Sequence, residues 1–402
     1  MRLHSGAPFW LVRNGLEEMN HSPSPAFAER EFDVAIVGAG VTGALIADAL
    51  TSERLSVVVL DRRAPASGST AASTALLTYE IDVDLTALID KIGKPDAVRA
   101  YRLSAASVSA LGRIAASLSV PTGFVQRPSL YLATHRRHAR RLQQEVEVRQ
   151  RHGLDAEYWS RERVEQRYGF PCHGALRTSS AGVIDPIRLT RALLLRAAAG
   201  GACLLSRTRA RAVERSGSGV RIATDHGEIR ARWVVYAMGY ETPEPLRPEI
   251  VALHSTYALA TEPLDDLGPW QDECLVWETS RPYYYLRTTE DRRILIGGAD
   301  APFKNATWRD RLIPDRTRRL EKRLATLLPS VATETAFSWA GTFAVTPDGL
   351  PFIGPSESCP QALFALGYRG NGITFGVIAA DILRDLCLGR PNDDARVFRL
   401  DR

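Results

Sequence analysis

The chain has few features that would brace it externally or tie it to a membrane. Its 402 residues hold five cysteines, Cys172, Cys203, Cys274, Cys359 and Cys387. They are odd in number and far apart, and no pair has CxxC spacing. Neither a zinc site nor a disulfide frame is indicated, no metal is expected, and a reducing compartment is. No apolar run approaches the ~18 residues that span a bilayer. The apolar piece Pro8-Phe9-Trp10-Leu11-Val12 is too short for a signal-peptide core, and no small-residue cleavage site follows it. A soluble, cytoplasmic protein with no transmembrane segment is therefore expected. Repeats and long low-complexity tracts are absent. Charge of one sign is not dominant either, since the formal excess is +5 and almost all of the basic residues are arginine. The basic run His135-Arg136-Arg137-His138-Ala139-Arg140-Arg141 has no interleaved aromatics, so it reads as a solvated helix face and not as a base-stacking surface. Nucleic acid is not an expected partner. A hydrophobic content of 45% is enough for two cores at this length, and two domains are the natural expectation.

The stretch from Asp33 to Asp61 is the most informative in the chain. The apolar run Asp33-Val34-Ala35-Ile36-Val37 leads into Gly38-Ala39-Gly40-Val41-Thr42-Gly43. The helix-forming Ala44-Leu45-Ile46-Ala47-Asp48-Ala49-Leu50 follows, and a second apolar run, Val57-Val58-Val59-Leu60, stops at Asp61. Strand, glycine turn, helix, strand and terminal acid in this order make the dinucleotide-binding βαβ unit. Gly38 permits the tight turn, Gly40 lets the backbone approach a pyrophosphate, and Gly43 lets the helix pack closely on the sheet. The helix N-terminus offers N–H groups and a partial positive charge to phosphates, with Val41 and Thr42 in its first turn. Asp61 is placed to accept hydrogen bonds from an adenosine ribose, and Arg62 and Arg63 follow it. The fingerprint alone does not separate FAD from NAD. The hydroxyl-rich run Gly68-Ser69-Thr70-Ala71-Ala72-Ser73-Thr74 comes next. It suits contacts to the pyrophosphate or the adjoining ring through Ser69, Thr70, Ala71, Ser73 and Thr74, although an ordinary helix cap would look similar.

Around this unit the pattern alternates. Residues 1–30 read as an extended arm anchored by Phe9 and Trp10 and ending in Ser22-Pro23-Ser24-Pro25. Helical spacing runs through residues 82–118, a strand pair is expected over Phe124–Thr134 and a polar helix over Arg136–His152. Asp185-Pro186 opens a helix that runs to Gly200-Gly201. Short strands follow, ending in the buried strand and glycine turn Trp233-Val234-Val235-Tyr236-Ala237-Met238-Gly239. Pro243, Pro245 and Pro248 mark an exit from that unit. Residues 249–300 are β-rich and aromatic, and a helix is expected over Arg309–Leu328. The last segment returns to glycine turns: Trp339-Ala340-Gly341-Thr342-Phe343, Thr346-Pro347-Asp348-Gly349-Leu350-Pro351, and Gly367-Tyr368-Arg369-Gly370-Asn371-Gly372-Ile373-Thr374. The last of these precedes an apolar helix expected over Gly376–Leu388, so its N–H groups would face an anionic ligand.

These motifs, in this order, resemble those of the D-amino-acid-oxidase-like FAD-dependent oxidoreductases, the family of glycine oxidase, sarcosine oxidase and gamma-glutamylputrescine oxidase. The resemblance runs from about Phe32 to the C-terminus. Tyr257-Ala258-Leu259-Ala260-Thr261-Glu262-Pro263-Leu264 looks most like the amine-oxidising members. The fold it implies is α/β, a GR2-type FAD-binding Rossmann-like domain interleaved with an α+β substrate domain built on a mixed β-sheet. On that pattern the FAD domain takes residues 31–85, 158–243 and 335–402, and the substrate domain 86–157 and 244–334.

The resemblance assigns the backbone of Arg369 to Thr374, with Gly367 before it, to the flavin. The strand at Arg211 to Val213, through Ala212 and Val213, would contact adenine. Ala237, Met238, Gly239, Gly341 and Asp348 complete the expected cofactor contacts. The implied reaction oxidises a C–H next to nitrogen in an amine or amino acid, with hydride passing to flavin N5 and an imine that hydrolyses. For that chemistry the protein supplies orientation and exclusion of water. Candidate active-site residues are Tyr257, Tyr285, Arg287, Trp339, Phe343, Tyr368 and Arg369, with Trp277 and Tyr283 also in the aromatic roof. Arg287 reads equally as an anion holder or a strand arginine, and His173 and His254 read as structural. Alternatives within the same fold are a hydroxy-acid or polyol dehydrogenase and a flavin-binding protein without turnover.

Three departures from the family pattern stand out. Glycine oxidase has a carboxylate-binding arginine after its Ala-Gly pair, whereas here Ala340-Gly341 is followed by Thr342-Phe343. Gly341 occupies the position of the flavin-tethering cysteine of monomeric sarcosine oxidase, so non-covalent FAD is expected. The oxygen-activating lysine of that enzyme falls, on a looser match, at Ile296, which leaves either oxygen or a quinone or other electron carrier as the acceptor.

Overall fold

The computed structural model describes residues 1–16, 19, 31–241, 251–357 and 359–402, with only the backbone of Pro360. Ser22-Pro23-Ser24-Pro25 and the prolines at 243, 245 and 248 lie outside the described residues. Among those described, the strands form two sheets, of eight and ten strands.

The eight-stranded sheet runs in the order Phe352–Ser356, Cys359–Leu366, Gly227–Tyr236, Glu31–Val37, Val57–Leu60, Cys203–Leu205, with a side arm of Gly219–Thr224 and Ala210–Ser216. Its centre is parallel: Gly227–Tyr236 pairs in parallel with both Cys359–Leu366 and Glu31–Val37, which in turn pairs with Val57–Leu60. A parallel strand covered on both faces must be apolar throughout, and Val57-Val58-Val59-Leu60 is buried along its whole length. Helices Val41–Ser52, Pro186–Ala199 and Gly372–Cys387 pack beside one another on this unit. The sharp turn into the first of them needs Gly38, whose φ of 118° disfavours any side chain. A Cβ on Gly43 would strike the Gly38 carbonyl oxygen, so the helix is seated on the turn without intervening side chain. Asp185 caps the helix Pro186–Ala199 by accepting from the Ile187 and Arg188 N–H groups, each at 3.0 Å.

The ten-stranded sheet runs His4–Gly6, Thr335–Val345, Ala252–Thr261, Ile294–Pro302, Tyr284–Thr288, Leu275–Glu278, Val125–Leu132, Ala175–Val183, Leu76–Leu77, with Glu157–Trp159 paired to Ala175–Val183. Strands Thr335–Val345, Ala175–Val183 and Leu76–Leu77 therefore belong here, although the sequence pattern groups residues 335–345, 175–183 and 76–77 with the cofactor unit. Sheet membership is fixed by hydrogen-bonding partners far away in sequence, and that information is not carried by local periodicity.

Other elements also differ from expectation. Phe124–Thr134 holds a single strand, Val125–Leu132. The helix expected over Arg309–Leu328 is two, Ala306–Arg311 and Ile313–Leu327, with Pro314 in the first turn of the second. The last helix starts at Gly372, four residues earlier than its apolar face suggests. The N-terminal residues are not simply extended. His4–Gly6 adds a strand beside Thr335–Val345, and Phe9–Asn14 is a short helix whose Phe9 and Trp10 are buried. Trp10 Nε1 donates to the Ser73 carbonyl at 2.7 Å.

Candidate active site

Two cavities meet where the sheets adjoin. The larger, of about 620 Å³, is walled by the early glycine turn at Gly38, Gly40, Val41 and Thr42 and by the late turn at Tyr368, Gly370, Gly372 and Ile373. Asp61, Arg62, Arg63, Ser69, Thr70, Ser73, Ala237, Met238 and Gly239 complete most of its lining. The smaller, of about 130 Å³, is lined by Thr74, Tyr285, Gly341, Phe343, Arg369, Asn371 and Thr374 among others. Ser69, Ser73, Tyr240, Gly370 and Ile373 border both, so the two spaces adjoin through a common wall.

The larger wall is mostly backbone. The helix Val41–Ser52 opens at Gly40, and its first N–H groups have no intrahelical acceptor. The Val41 N–H donates to Thr70 Oγ1 at 3.0 Å, which ties the hydroxyl-rich run to the glycine turn. Asp61 accepts from the Ala39 N–H at 2.9 Å and from the Arg63 N–H at 2.8 Å, one on each carboxylate oxygen. It thus braces the turn as well as bordering the cavity. Burial pushes its carboxyl up, and the two N–H bonds temper the shift. Arg62 pairs with Glu241, Arg63 reaches the same carboxylate at 3.4 Å, and both donate to the Met1 carbonyl, at 3.0 and 2.8 Å. The late turn is tethered by the Tyr240 hydroxyl, which donates to the Arg369 carbonyl at 2.6 Å.

Several expected site residues lie elsewhere. Ala71 packs in a small core with Phe9 and Trp10, because the short helix Ser69–Ala72 turns it inward. Ala212 and Val213 lie too far along their strand, and Thr208, Arg209 and Ala210 reach the cavity in their place. Tyr257 points into the core of the ten-stranded sheet, its hydroxyl donating to the Arg309 carbonyl at 3.3 Å. Trp339 donates from Nε1 to the Ala72 carbonyl at 2.9 Å and is buried with Trp10. Arg287 is buried behind the cavity, its Nη1 donating to the Thr74, Ala75 and Ile184 carbonyls at 3.3, 2.8 and 3.0 Å. Asp348 is held by Arg402 Nε at 2.7 Å. Gly367 makes the bend before the late turn with a φ of 78° but does not border either space. Gly43 likewise sits behind the wall, against Gly38. Ile296 is buried in the sheet core.

The chain matches the family model of FAD dependent oxidoreductases, DAO, over residues 33–386. It belongs to that family. It is 25% identical over 370 residues to glycine oxidase from Geobacillus kaustophilus, covering 88% of this chain and 92% of that protein. The solved structure of glycine oxidase from Geobacillus kaustophilus superposes with a TM-score of 0.78 at 22% identity, over 92% of this chain and 99% of the other. L-amino acid deaminase from Proteus myxofaciens, solved with anthranilate, gives a TM-score of 0.80 at 16% identity over 99% and 98%. These two likenesses show the shared fold.

The residues of this FAD-dependent oxidoreductase fit the cofactor of its family. The Ser69 Oγ, on the wall common to both spaces, is shielded from solvent and makes no hydrogen bond within the protein. Together with the first-turn N–H groups beyond Val41, whose own N–H is held by Thr70, it offers donors to an anionic diphosphate. No cysteine is among the residues lining either cavity.

Sequence reasoning missed the acidic side of the smaller cavity. Glu80, Asp82 and Asp300 line it with Thr256, Trp277 and Tyr283. A signal for Asp300 was present: an acid directly after the buried run Ile294-Leu295-Ile296-Gly297-Gly298-Ala299, where a carboxylate needs a reason. Gly297 has a visible role there, since a Cβ on it would lie 2.5 Å from the Tyr285 ring, which rests across that strand. Tyr240 and Glu241 directly follow Gly239 and could have been read as an extension of that turn.

Proposed function

We propose that this oxidoreductase removes a hydride from a carbon next to nitrogen in a small amine or amino acid, giving an imine that hydrolyses in water. The observation that carries the reading is the shared wall. The early and late glycine turns border one cavity, and a second, aromatic-lined space opens directly beside it. When bound, non-covalent FAD supplies the two-electron acceptor at the flavin N5 position, with oxygen or a quinone-type carrier as the final oxidant.

The chain's own contribution is placement. Tyr285 and Phe343 on the ten-stranded sheet, with Trp277 and Tyr283, form apolar walls that exclude water and orient the reacting carbon. Tyr283 and Tyr285 pack with ring centroids 5.6 Å apart, and Trp277 stacks on Tyr131 at 3.6 Å, so these walls are held by neighbours and not by substrate alone. The late turn at Arg369–Thr374 places the N-terminus of the helix Gly372–Cys387 at the junction of the two spaces, where its dipole favours negative charge.

Purified yellow protein should be screened anaerobically against amines, amino acids and hydroxy acids, following loss of flavin absorbance. Bleaching by nitrogen-bearing compounds, with carbonyl product and released ammonia or amine, is the expected result. Bleaching only by hydroxy acids or polyols would redirect the activity to alcohol oxidation, and no bleaching by any class would leave a flavin carrier without turnover.

A further inference from the structure

The smaller cavity carries surplus negative charge, and among its carboxylates Asp300 is the one with no cation at ion-pair distance among the described residues. Among the described residues, three carboxylates line it, Glu80, Asp82 and Asp300, against one guanidinium, Arg369. Glu80 lies 3.7 Å from the buried Arg149, which Glu145 holds at 2.8 Å, and neither Glu80 oxygen makes a hydrogen bond, whereas Asp82 is 3.3 Å from Arg369 Nε. Asp300 has no cation at ion-pair distance among the described residues, and its Oδ1 is shielded from solvent without a hydrogen bond.

The backbone is shaped to deliver that side chain. Pairing between Ala252–Thr261 and Ile294–Pro302 slips between Ser255 and Tyr257, and Ala299 takes a φ of 53°. An irregularity of this kind re-aims a side chain from its regular face. Asp300 thereby comes into the cavity with the Thr256 hydroxyl against its carboxyl and with Trp277, Tyr283 and Tyr285 around the same space. A shielded carboxylate with a hydroxyl beside it but no cationic partner is costly unless a cation completes it. Aromatic faces attract organic ammonium groups as well. Among the described lining residues a substrate carboxylate would meet only the Arg369 guanidinium, for which it would compete with Asp82 at 3.3 Å and against the charge of Asp300.

We infer that Asp300 is the specificity-determining residue of this site and holds the ammonium of a substrate bearing a second nitrogen and no α-carboxylate, a di- or polyamine. This rests on the amine-oxidising reading and names its substrate class. Burial pushes the Asp300 carboxyl up to about 6, still far below an alkylammonium at about 10.4. The carboxylate therefore keeps the ammonium as an ion pair and does not take its proton. The nitrogen it holds is not the one oxidised. Hydride leaves the carbon beside the other, neutral nitrogen for the FAD, that nitrogen's lone pair forms the C=N bond, and its N–H proton is released to water.

The test compares 1,4-diaminobutane with ornithine, which adds a carboxylate to the same skeleton, on wild-type and Asp300→Asn holoenzyme. The diamine should exceed ornithine in kcat/KM by about 100-fold, and Asp300→Asn should lower the diamine value by about 100-fold, mostly through KM, the scale of losing one buried charge contact. Tetramethylammonium, whose nitrogen has no lone pair to drive oxidation, serves as a binding probe read by the visible spectrum of the bound flavin. By charge attraction alone it should perturb the wild-type spectrum and bind at least about tenfold more weakly to Asp300→Asn. Diamine oxidation that Asp300→Asn leaves unchanged overturns the assignment while amine oxidation stands, and so does a preference for ornithine. If no amine bleaches the flavin yet tetramethylammonium binding is lost in Asp300→Asn, ammonium recognition stands and amine oxidation falls. A wild-type flavin spectrum that responds to neither 1,4-diaminobutane nor tetramethylammonium overturns the assignment outright.

Discussion

The two adjoining cavities are made in different ways. The larger is built of backbone: glycine turns, helix N–H groups and strand ends, most of them contributed by stretches of a few consecutive residues. The smaller is built of side chains brought together from well-separated segments, Glu80 and Asp82, Thr256, Trp277, Tyr283 and Tyr285, Asp300, Phe343 and Arg369. A backbone-built site can be broken by a single added carbon, whereas a side-chain-built site can be tuned by changing charge. On the proposed reading, the first would hold the FAD common to the family and the second would vary with the substrate.

Substitutions can break or sharpen this contrast. The largest effect should come from Gly43→Val, because the added carbons meet the Gly38 carbonyl oxygen, a backbone atom that cannot step aside. A destabilisation of about 4 kcal/mol or more is expected, at the exceptional end for single changes, seen as loss of soluble yellow protein. Arg287→Met should come next. It strands the Thr74, Ala75 and Ile184 carbonyls, and Thr74 borders the smaller cavity. Burial already pushes this guanidinium down to about 9, so the cation is held against its hydration by those carbonyls. A loss of about 2–3 kcal/mol is expected, measured by denaturant midpoint. An unchanged midpoint would remove Arg287 as the brace of that wall.

Asp300→Asn should move stability the other way, which marks a side chain kept for binding and not for folding. The carboxyl titrates higher in the folded protein, at about 6, than its ordinary value of 3.8. Folded protein therefore binds the proton more tightly, and ionisation costs stability as pH rises from about 4 to above 6. The variant, lacking that cost, should exceed wild type by about 1–3 kcal/mol at neutral pH, with the gap closing as pH falls toward 4. A gap that widens in acid would contradict the burial of this group. Tyr240→Phe should have the smallest effect. It removes the hydroxyl tether to the late turn, worth about 1 kcal/mol, and should weaken FAD binding about fivefold with the fold intact.

The same contrast explains what could be read from the sequence. The cofactor unit was legible because its requirements are local: Gly38, Gly40 and Gly43 at fixed spacing, flanked by strands apolar on both faces. Residues set apart from that turn were placed less well. The register of Ala210–Ser216 decides that Ala210 and not Ala212 or Val213 reaches the cavity, and a strand pattern does not state where it begins. Tyr257, Arg287 and Trp339 fell in suitable segments but face the other side of their strands or brace the backbone behind the wall. In a sheet, one residue of register decides the face. Asp300 escaped notice for a related reason, because the slip opposite Ser255 and Tyr257 that exposes it to the cavity is a property of two strands together.

The most direct measurement of the account is flavin stoichiometry in Gly40→Val and Gly372→Val, one from each end of the chain. No backbone atom opposes the first added carbon: a Cβ at Gly372 would rest 3.6 Å from Tyr240 Oη, an ordinary contact, and one at Gly40 would lie 3.2 Å from Thr70 Oγ1, a side-chain atom that must give by a few tenths of an ångström. Both variants should fold with circular dichroism like wild type, and both should be colourless, because the added side chain occupies space the same FAD molecule needs. A folded variant of either kind that retains one FAD per chain would contradict the claim that the two turns close around a single cofactor.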